Sequence, residues 1–514
     1  MENKTGLDSI QIAKNMVFSI LAFVLNTGIS FFLTPYITAQ LGSEAYGYVK
    51  LANDFAGYAT LITLALNSMS SRFIVLNRSS GKFEEASKYY NSLLIANIFL
   101  GLFFMVPSTV VVLFLERLIS IPLSLILTVK ITFALTFTNF ILDLIFSIFS
   151  NCYYLTNRLE IQALLTTKAN LIRTSAIILL FIFLKPSIIY MVLGTTFSSL
   201  YLIVSNIRYS KKLVPDLKIE IRMFQFTKVK ELVVSGVWNS ITKLSQIFTS
   251  GLSLLITNIF ISSQMMGYLS VAKTIPNLIV NFNGTIANAF SSNLMILYAK
   301  NAILELRDAV KISMKTMCVF IVIPNAILLS LGYEFFKLWT PEQPSDLLNV
   351  LSVLSVINAC VTGPMQPLYQ IFTITNKIKQ SSIVMIVYGF ISIVVTMGFL
   401  KFSDLGVFAV VGVSAVGSVI VALCYHLPFG AKYLGLPWYE FYPEIGKSIV
   451  SYVLVAIIGF TIKHFIRVGD SWLLWFSGAV ITAILGFLLN VFLVLNKQDR
   501  QYLFQKIFKR KKAS

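Results

Sequence analysis

Four lysines stand inside long apolar stretches of this 514-residue chain: Lys50, Lys130, Lys243 and Lys273. An amine held at mid-bilayer costs roughly 2.5–3.5 kcal/mol, and such residues face a bundle interior or a watery cavity. Cations kept there against that cost point to chemistry with an anion. Around them the polar residues fall in helical stripes. Asn239, Lys243, Gln246, Ser250, Ser253 and Thr257 recur at intervals of three and four, one face of an α-helix. Lys273, Asn277, Asn281 and Asn288 form a similar row, with Pro276 available to kink it. Lys50, Asn53, Asp54, Gly57 and Asn67 make a weaker stripe. Thr128, Thr132, Thr136, Asn139 and Asp143 line one side of another segment.

Each of these admits a plain structural reading. Ser, Thr and Asn often serve as hydrogen-bonding glue between membrane helices. Lys50 and Asp54, four apart, can pair with each other. Lys130 lies off its Thr/Asp stripe and nearer the outer side. Arg173 stands near a span end, where it would snorkel to the interface. Arg72 ends a span and either guards an entrance or follows the charge rule for cytoplasmic loops. Lys50, Lys243 and Lys273 carry the cavity reading best, because an amine needs water, counter-charge or substrate. Lys130 and Arg72 join them as further candidate anion ligands, with Asn26, Asn53, Gln246, Asn277 and Asn281 as polar lining. Asp54 and Asp143 are the two clear acids inside the apolar segments, and so the candidates for coupling to a proton or sodium ion.

The elements that must hold these residues are membrane spans. The chain is 56% hydrophobic and 12% charged, with mean hydropathy +0.79, too apolar for a soluble domain of this size. Fourteen segments are long enough to cross roughly 30 Å of hydrocarbon: 16–38, 48–69, 90–115, 122–149, 169–185, 187–207, 232–260, 268–298, 312–339, 347–374, 381–402, 405–427, 448–466 and 471–496. Of the 41 Lys and Arg, 30 lie on the side of the N-terminus, 6 in the opposite loops and 5 within spans. That bias puts both termini in the cytoplasm.

The net charge of +19 therefore marks cytoplasmic loops and not nucleic acid, for which no zinc spacing or RNA-binding signature exists. The four cysteines lack metal or disulfide spacing, and the chain has only two histidines, His426 and His464. No metal, cofactor or catalytic constellation is expected. Acids outside the spans, such as Glu342, Asp346 and Asp404, have no partners in sequence. No extramembrane loop is large enough to hold a sugar donor and acceptor, so the reading is not an enzyme.

Residues 209–231 are basic and separate six spans from eight, an expected cytoplasmic linker. The ending KIFKRKKAS is expected to anchor to anionic lipid, and residues 7–16 to form an amphipathic lead-in helix. TGPMQP at 362–367 should break the tenth span, as a gate or as a static kink.

The chain also repeats itself. GYVKLAN at 47–53 matches GYLSVAK at 267–273, an offset of 220; NSMSSRFI at 67–74 matches NAFSSNLM at 288–295, an offset of 221. Asn26 falls opposite Gln246 at the same offset. Duplication predicts two six-helix lobes in like orientation, 1–208 and 232–427, followed by two further helices and a basic tail in 428–514.

The opening NMVFSILAFVLNTGISFFLTPYITAQLGSEAYGYVKLANDF resembles the start of bacterial polysaccharide flippases of the Wzx type. These belong to the multidrug/oligosaccharidyl-lipid/polysaccharide exporter superfamily. The first helix ends in Pro35-Tyr36, Leu41-Gly42 makes a turn, and Tyr46-Gly47 opens the second helix. The resemblance implies an all-α MATE-like fold, with a V-shaped pair of lobes around a central, often cationic cavity. It also implies movement of undecaprenyl-diphosphate-linked oligosaccharide from the inner to the outer leaflet of the bacterial plasma membrane, by alternating access, for capsule, O-antigen, exopolysaccharide or teichoic acid assembly. Membrane lipids, a polysaccharide polymerase and glycosyltransferases are the implied neighbours. A MATE-like multidrug or cation antiporter and a lipid II flippase are the alternatives. The lipid II flippases' first-helix arginines have no match here, since 16–38 carries no charge.

Overall fold

A computed structural model describes residues 2–375, 377–496 and 500, with side chains from Phe18 onward apart from a small number of positions. Among them every element is helical and no strand occurs. The fourteen apolar segments are helical over most of their length, with turns inside 347–374 and at several ends. Eleven helices among the described residues are long and apolar enough to cross a membrane. One of these, Val24–Arg78, carries the first two segments together, while 232–260 and 268–298 are interrupted and do not enter that set. Apolar side chains such as Phe99, Phe390 and Phe492 stand exposed along the long helices, as expected where the solvent is hydrocarbon. The lead-in helix expected at 7–16 runs inside the first helix, with its side chains outside the described residues; the basic ending lies outside them too.

The chain forms two compact units, residues 1–247 with 254–267, and residues 248–253 with 268–514. The first begins with α1 (Glu2–Asn67), which is two arms joined at Gly42. There φ is 78° and ψ 162°, a region open essentially to glycine alone. The Leu41-Gly42 turn read from sequence is this joint. After it come α2 (Ser70–Ser79), α3 (Phe83–Leu113), α4 (Ile126–Phe146), α5 (Leu159–Phe183), α6 (Ile188–Leu213) and α7 (Phe226–Gln246). Small residues set the close approaches, as in membrane bundles generally. A Cβ on Gly236 of α7 would stand 2.1 Å from the Ala65 carbonyl oxygen of α1. One turn on, Ser240 donates to the Leu61 carbonyl at 2.6 Å. The two glycines of the repeated motif also meet: a Cβ on Gly47 would lie 3.0 Å from Cα of Gly267.

The basic segment between α6 and α7 is bound to the first unit throughout. Arg78 holds Asp216 in a two-pronged pair at 2.8 and 3.0 Å. The Asn91 amide donates to the Lys218 carbonyl at 3.0 Å and accepts from the Glu220 N–H at 2.8 Å. Ser92 accepts from the Gln225 N–H at 2.9 Å. Val214 and Leu217 are buried with Tyr90, Leu93 and Tyr153. The expected linker is thus a strap, and the compact units divide after Ile247 and not within 209–231.

In the second unit α11 (Ile303–Trp339) is central and deeply buried. Chain-wise before it lie α8 (Ser253–Phe260), α9 (Ser263–Ala272) and α10 (Thr274–Ala299), of which α8 from Leu254 onward and the start of α9 belong to the first unit. After it come α12 (Ser345–Val356), α13 (Gln366–Ile374), α14 (Ile378–Phe402), α15 (Val407–Val421), α16 (Tyr442–Phe465) and α17 (Trp472–Leu493). The last two helices pack on α11. Gly459 of α16 faces Ser330 closely, and Trp475 of α17 donates its indole N–H to the Leu331 carbonyl at 3.1 Å.

The proline breaks are stitched from outside their own helices. Pro364 has no N–H for the Cys360 carbonyl, which instead accepts from the Ser448 hydroxyl of α16 at 2.6 Å. Pro276 likewise leaves the Ala272 carbonyl, which accepts from Ser352 of α12 at 2.5 Å. At TGPMQP, then, neighbouring side chains replace the lost backbone bonds, the condition for irregular chain at membrane depth.

Candidate functional site

The joint at Gly42 turns the two arms of α1 so that both line one polar recess of about 130 Å³ in the first unit. The first arm contributes Ser30 and Thr34, the second Tyr46, Lys50 and Asn53, α5 contributes Arg173 and α6 Thr195. No carboxylate lines it. Thr34 Oγ1 donates to the Ser30 carbonyl at 2.9 Å and stands 3.4 Å from the Tyr46 hydroxyl. The Lys50 amine lies 5.1 Å from the centre of the Tyr46 ring, within cation–π range. Asn53 bonds back to the Val49 carbonyl at 2.8 Å. The buried Nε of Arg173 has no hydrogen-bond partner. A guanidinium donor left unmet at depth is costly, and its fork suits a tetrahedral or planar anion.

Arg173 is the residue that sequence reasoning missed. The apolar segment 169–185 places it near a span end, where it would snorkel. The helix begins at Leu159 instead, which puts Arg173 roughly 20 Å along it at 1.5 Å per residue. The signal was present in the helix-forming text LEIQALLTTKANLIR.

Other expected residues go elsewhere. Lys130 pairs with Glu116 at 2.6 Å and donates to the Leu113 carbonyl at 2.9 Å, so its charge is met locally, away from the recess. Glu116, in the one-turn helix Leu115–Leu118 between α3 and α4, is held below its ordinary carboxylate range mainly by that lysine. Arg72 is exposed on α2, with Asn277 and Asn281 exposed on α10. The side chain of Asn288 is outside the described residues. Asp54 is half-buried, and Asp143 accepts from Ser199 at 3.3 Å. Asn26 is half-buried with its carbonyl oxygen unpartnered, and Asn139 is buried with both amide atoms unpartnered.

Lys243 is half-buried on α7 and Gln246 exposed beside it. The stripe they begin does not continue as one face. Residues Ile247–Gly251 form a π-turn, whose extra residue rotates everything after it out of α register. Thr257 accordingly is buried. In the second unit Lys273 crosses to this turn: its amine donates to Ser253 Oγ at 2.6 Å and to the Ser250 carbonyl at 3.3 Å. It stands at the break between α9 and α10.

No protein-family model matches the sequence. The chain is 24% identical over 502 residues to the uncharacterized membrane protein EpsK of Bacillus subtilis (strain 168), covering 97% of this chain and 98% of that protein. Among solved structures it is similar to an inward-facing multidrug resistance MATE family transporter of the MOP superfamily. The TM-score is 0.64, with 15% identity and coverage of 82% of this chain and 98% of the other. It is similar also to the lipid II flippase MurJ in an inward closed conformation, with TM-score 0.63, 14% identity and coverage of 96% and 99%. The chain is a multi-pass, all-α membrane protein with the fold shared by the MATE transporters and MurJ.

Proposed function

We propose that this protein is a flippase for undecaprenyl-diphosphate-linked oligosaccharides. It would carry them from the cytoplasmic to the outer leaflet of a bacterial plasma membrane by alternating access. The observation that carries the reading is the recess where Lys50 and Arg173 meet with no carboxylate between them. Its volume of about 130 Å³ is below the roughly 300–1,000 Å³ of a drug-sized site. That size suits one phosphoryl group and not a ring of sugar. Charge-assisted hydrogen bonds from a lysine and an arginine are the strong kind for such a group. Lys243, half-buried and polar-flanked, serves as a second cation for the diphosphate. Lys273, in the second unit, is proposed as a further cation for the cargo. Both termini are taken as cytoplasmic, and Asp54 and Asp143 as carriers of any coupling ion.

The test is glycan export in cells that depend on this chain, with Lys50→Ala and Arg173→Ala variants expressed at normal level. Loss of surface glycan with accumulation of the lipid-linked precursor is expected. The second reading, multidrug export, is favoured by the likeness to the multidrug resistance transporter. Dye efflux from cells expressing the chain separates the two: efflux that survives Lys50→Glu would replace the flippase reading.

A further inference from the structure

A second cavity, unrelated to the recess, lies in the first unit where α1, α3 and α7 meet the strap. It measures about 650 Å³ and is apolar almost throughout. Leu61 and Ile62 of α1, Phe99 of α3 and Phe226 and Val233 of α7 line it, and the strap adds Phe224. Phe99 and Phe226 are 66% and 71% exposed, so the cleft is open along its flank. The strap leaves α6, a membrane-crossing helix by length and composition, at Leu213. It is then fixed to α2 and α3 by Asp216 and by the backbone bonds of Asn91 and Ser92. The strap side of the cleft therefore lies where a membrane-crossing helix ends.

The charges of the strap and of the start of α7 fall into two sets. Lys228 is met by Glu85 at 2.9 Å, and Asp216 is met by Arg78 from α2. Arg222, two residues before Phe224, and Lys230, next to Val229 of the same lining, are exposed. Neither has a carboxylate partner among the described residues. Exposed cations beside an apolar cleft at this depth match one ligand chemistry, long hydrocarbon tails joined to a negative head. No polar lining exists for sugar, and the volume is about five times that of the recess.

We propose that this cleft binds one anionic membrane phospholipid, with its tails against Phe99, Phe226 and Val233 and its headgroup on Arg222 and Lys230. The lipid is a resident of the strap and not the cargo. Each cation near an anionic surface contributes about 1 kcal/mol, so removing both weakens binding roughly tenfold to thirtyfold.

The experiment titrates the full-length protein, purified in detergent, with phosphatidylglycerol or phosphatidylcholine and counts retained lipid by native mass spectrometry. One phosphatidylglycerol is expected to be held in preference to phosphatidylcholine. The double variant Arg222→Gln/Lys230→Gln should lose that preference by the factor above. Val233→Trp, at a partly exposed position that fills the cleft, should displace the lipid while the cations remain. Lys50→Ala in the recess should leave lipid retention unchanged, which separates this site from the one proposed for the cargo. Equal retention of the two lipids, or retention unchanged in either cleft variant, overturns the proposal.

Discussion

A lysine and an arginine that share a recess without a carboxylate repel each other more strongly than in water, since the local dielectric is low. Their joint presence is offset when an anion enters. Hydrogen bonds to charged groups contribute roughly 1.5–3 kcal/mol, so Lys50→Ala and Arg173→Ala are each expected to cut export about tenfold to a hundredfold. Arg173→Lys should recover little, because the fork is lost although the charge is kept. Lys50→Glu should be worse than Lys50→Ala. Glycan export normalised to protein level checks all four, and normal export by Lys50→Glu would remove the cationic recess from the mechanism. Lys273 is expected to differ in kind from Lys243. Both Ala variants should lower export, but only Lys273→Ala should also lower the melting temperature in detergent, because its amine holds the Ser250 carbonyl and Ser253 hydroxyl of the π-turn.

At the scale of elements, the breaks and joints make separable predictions. Ser448→Ala leaves the Cys360 carbonyl without a donor. Hydrogen bonds between membrane helices measure about 0.6 kcal/mol and reach about 1.7, so a loss of that order is expected in detergent unfolding. Restoring a backbone N–H by Pro364→Ala should reduce the cost of Ser448→Ala, a coupling that a double-mutant cycle reads directly. Additive effects would mean that the serine is not stitching that break. Gly236→Ala should destabilise by driving a methyl into the Ala65 carbonyl. Gly28→Ala, with nothing within 4 Å of its Cβ, should be neutral or stabilising by up to about 1 kcal/mol.

The strap has a pH dependence of known sign. Arg78 holds the Asp216 carboxyl below the ordinary carboxylate range, so the pair stabilises the folded state above the unfolded value, roughly 3.9. That contribution is lost as pH falls through the lowered folded value. Protease nicking of 214–225 should rise in that acid window, and Asp216→Asn should nick readily at every pH. Identical profiles for the two proteins would detach the strap from this ion pair.

For the whole molecule, fourteen largely helical segments and the one-sided Lys/Arg distribution predict both termini on one side of the membrane. Cysteine-accessibility mapping should find 208–231 on the side of the termini and 340–346 opposite. Residues 340–346 reached from the same side as 208–231 would overturn that topology. The same distribution predicts that adding basic residues near 340–346 lowers insertion, since such loops retain positive charge on the inner face.

What the sequence determined by itself is what local chemistry dictates. Apolar length made the chain a membrane protein, Pro364 and Pro367 marked the break at 362–367, and Gly42 marked the joint in α1. Lysines kept in apolar text marked cation chemistry. Only the tertiary structure decided what those cations face, because the partners of a charge within a span come mostly from other segments of the chain. Lys130 turned out to lie beside Glu116. Arg173 joined Lys50 because α5 begins ten residues earlier than its apolar text and packs against α1. A single extra residue at Ile247–Gly251 rotated half of a stripe that periodicity had drawn as one face. The basic linker became a strap through Asn91, Ser92 and Arg78, residues more than 120 positions away in sequence. Helical period is read from neighbours in the chain, whereas the partner of a buried charge is set by the packing of distant helices, and the site depends on the second of these.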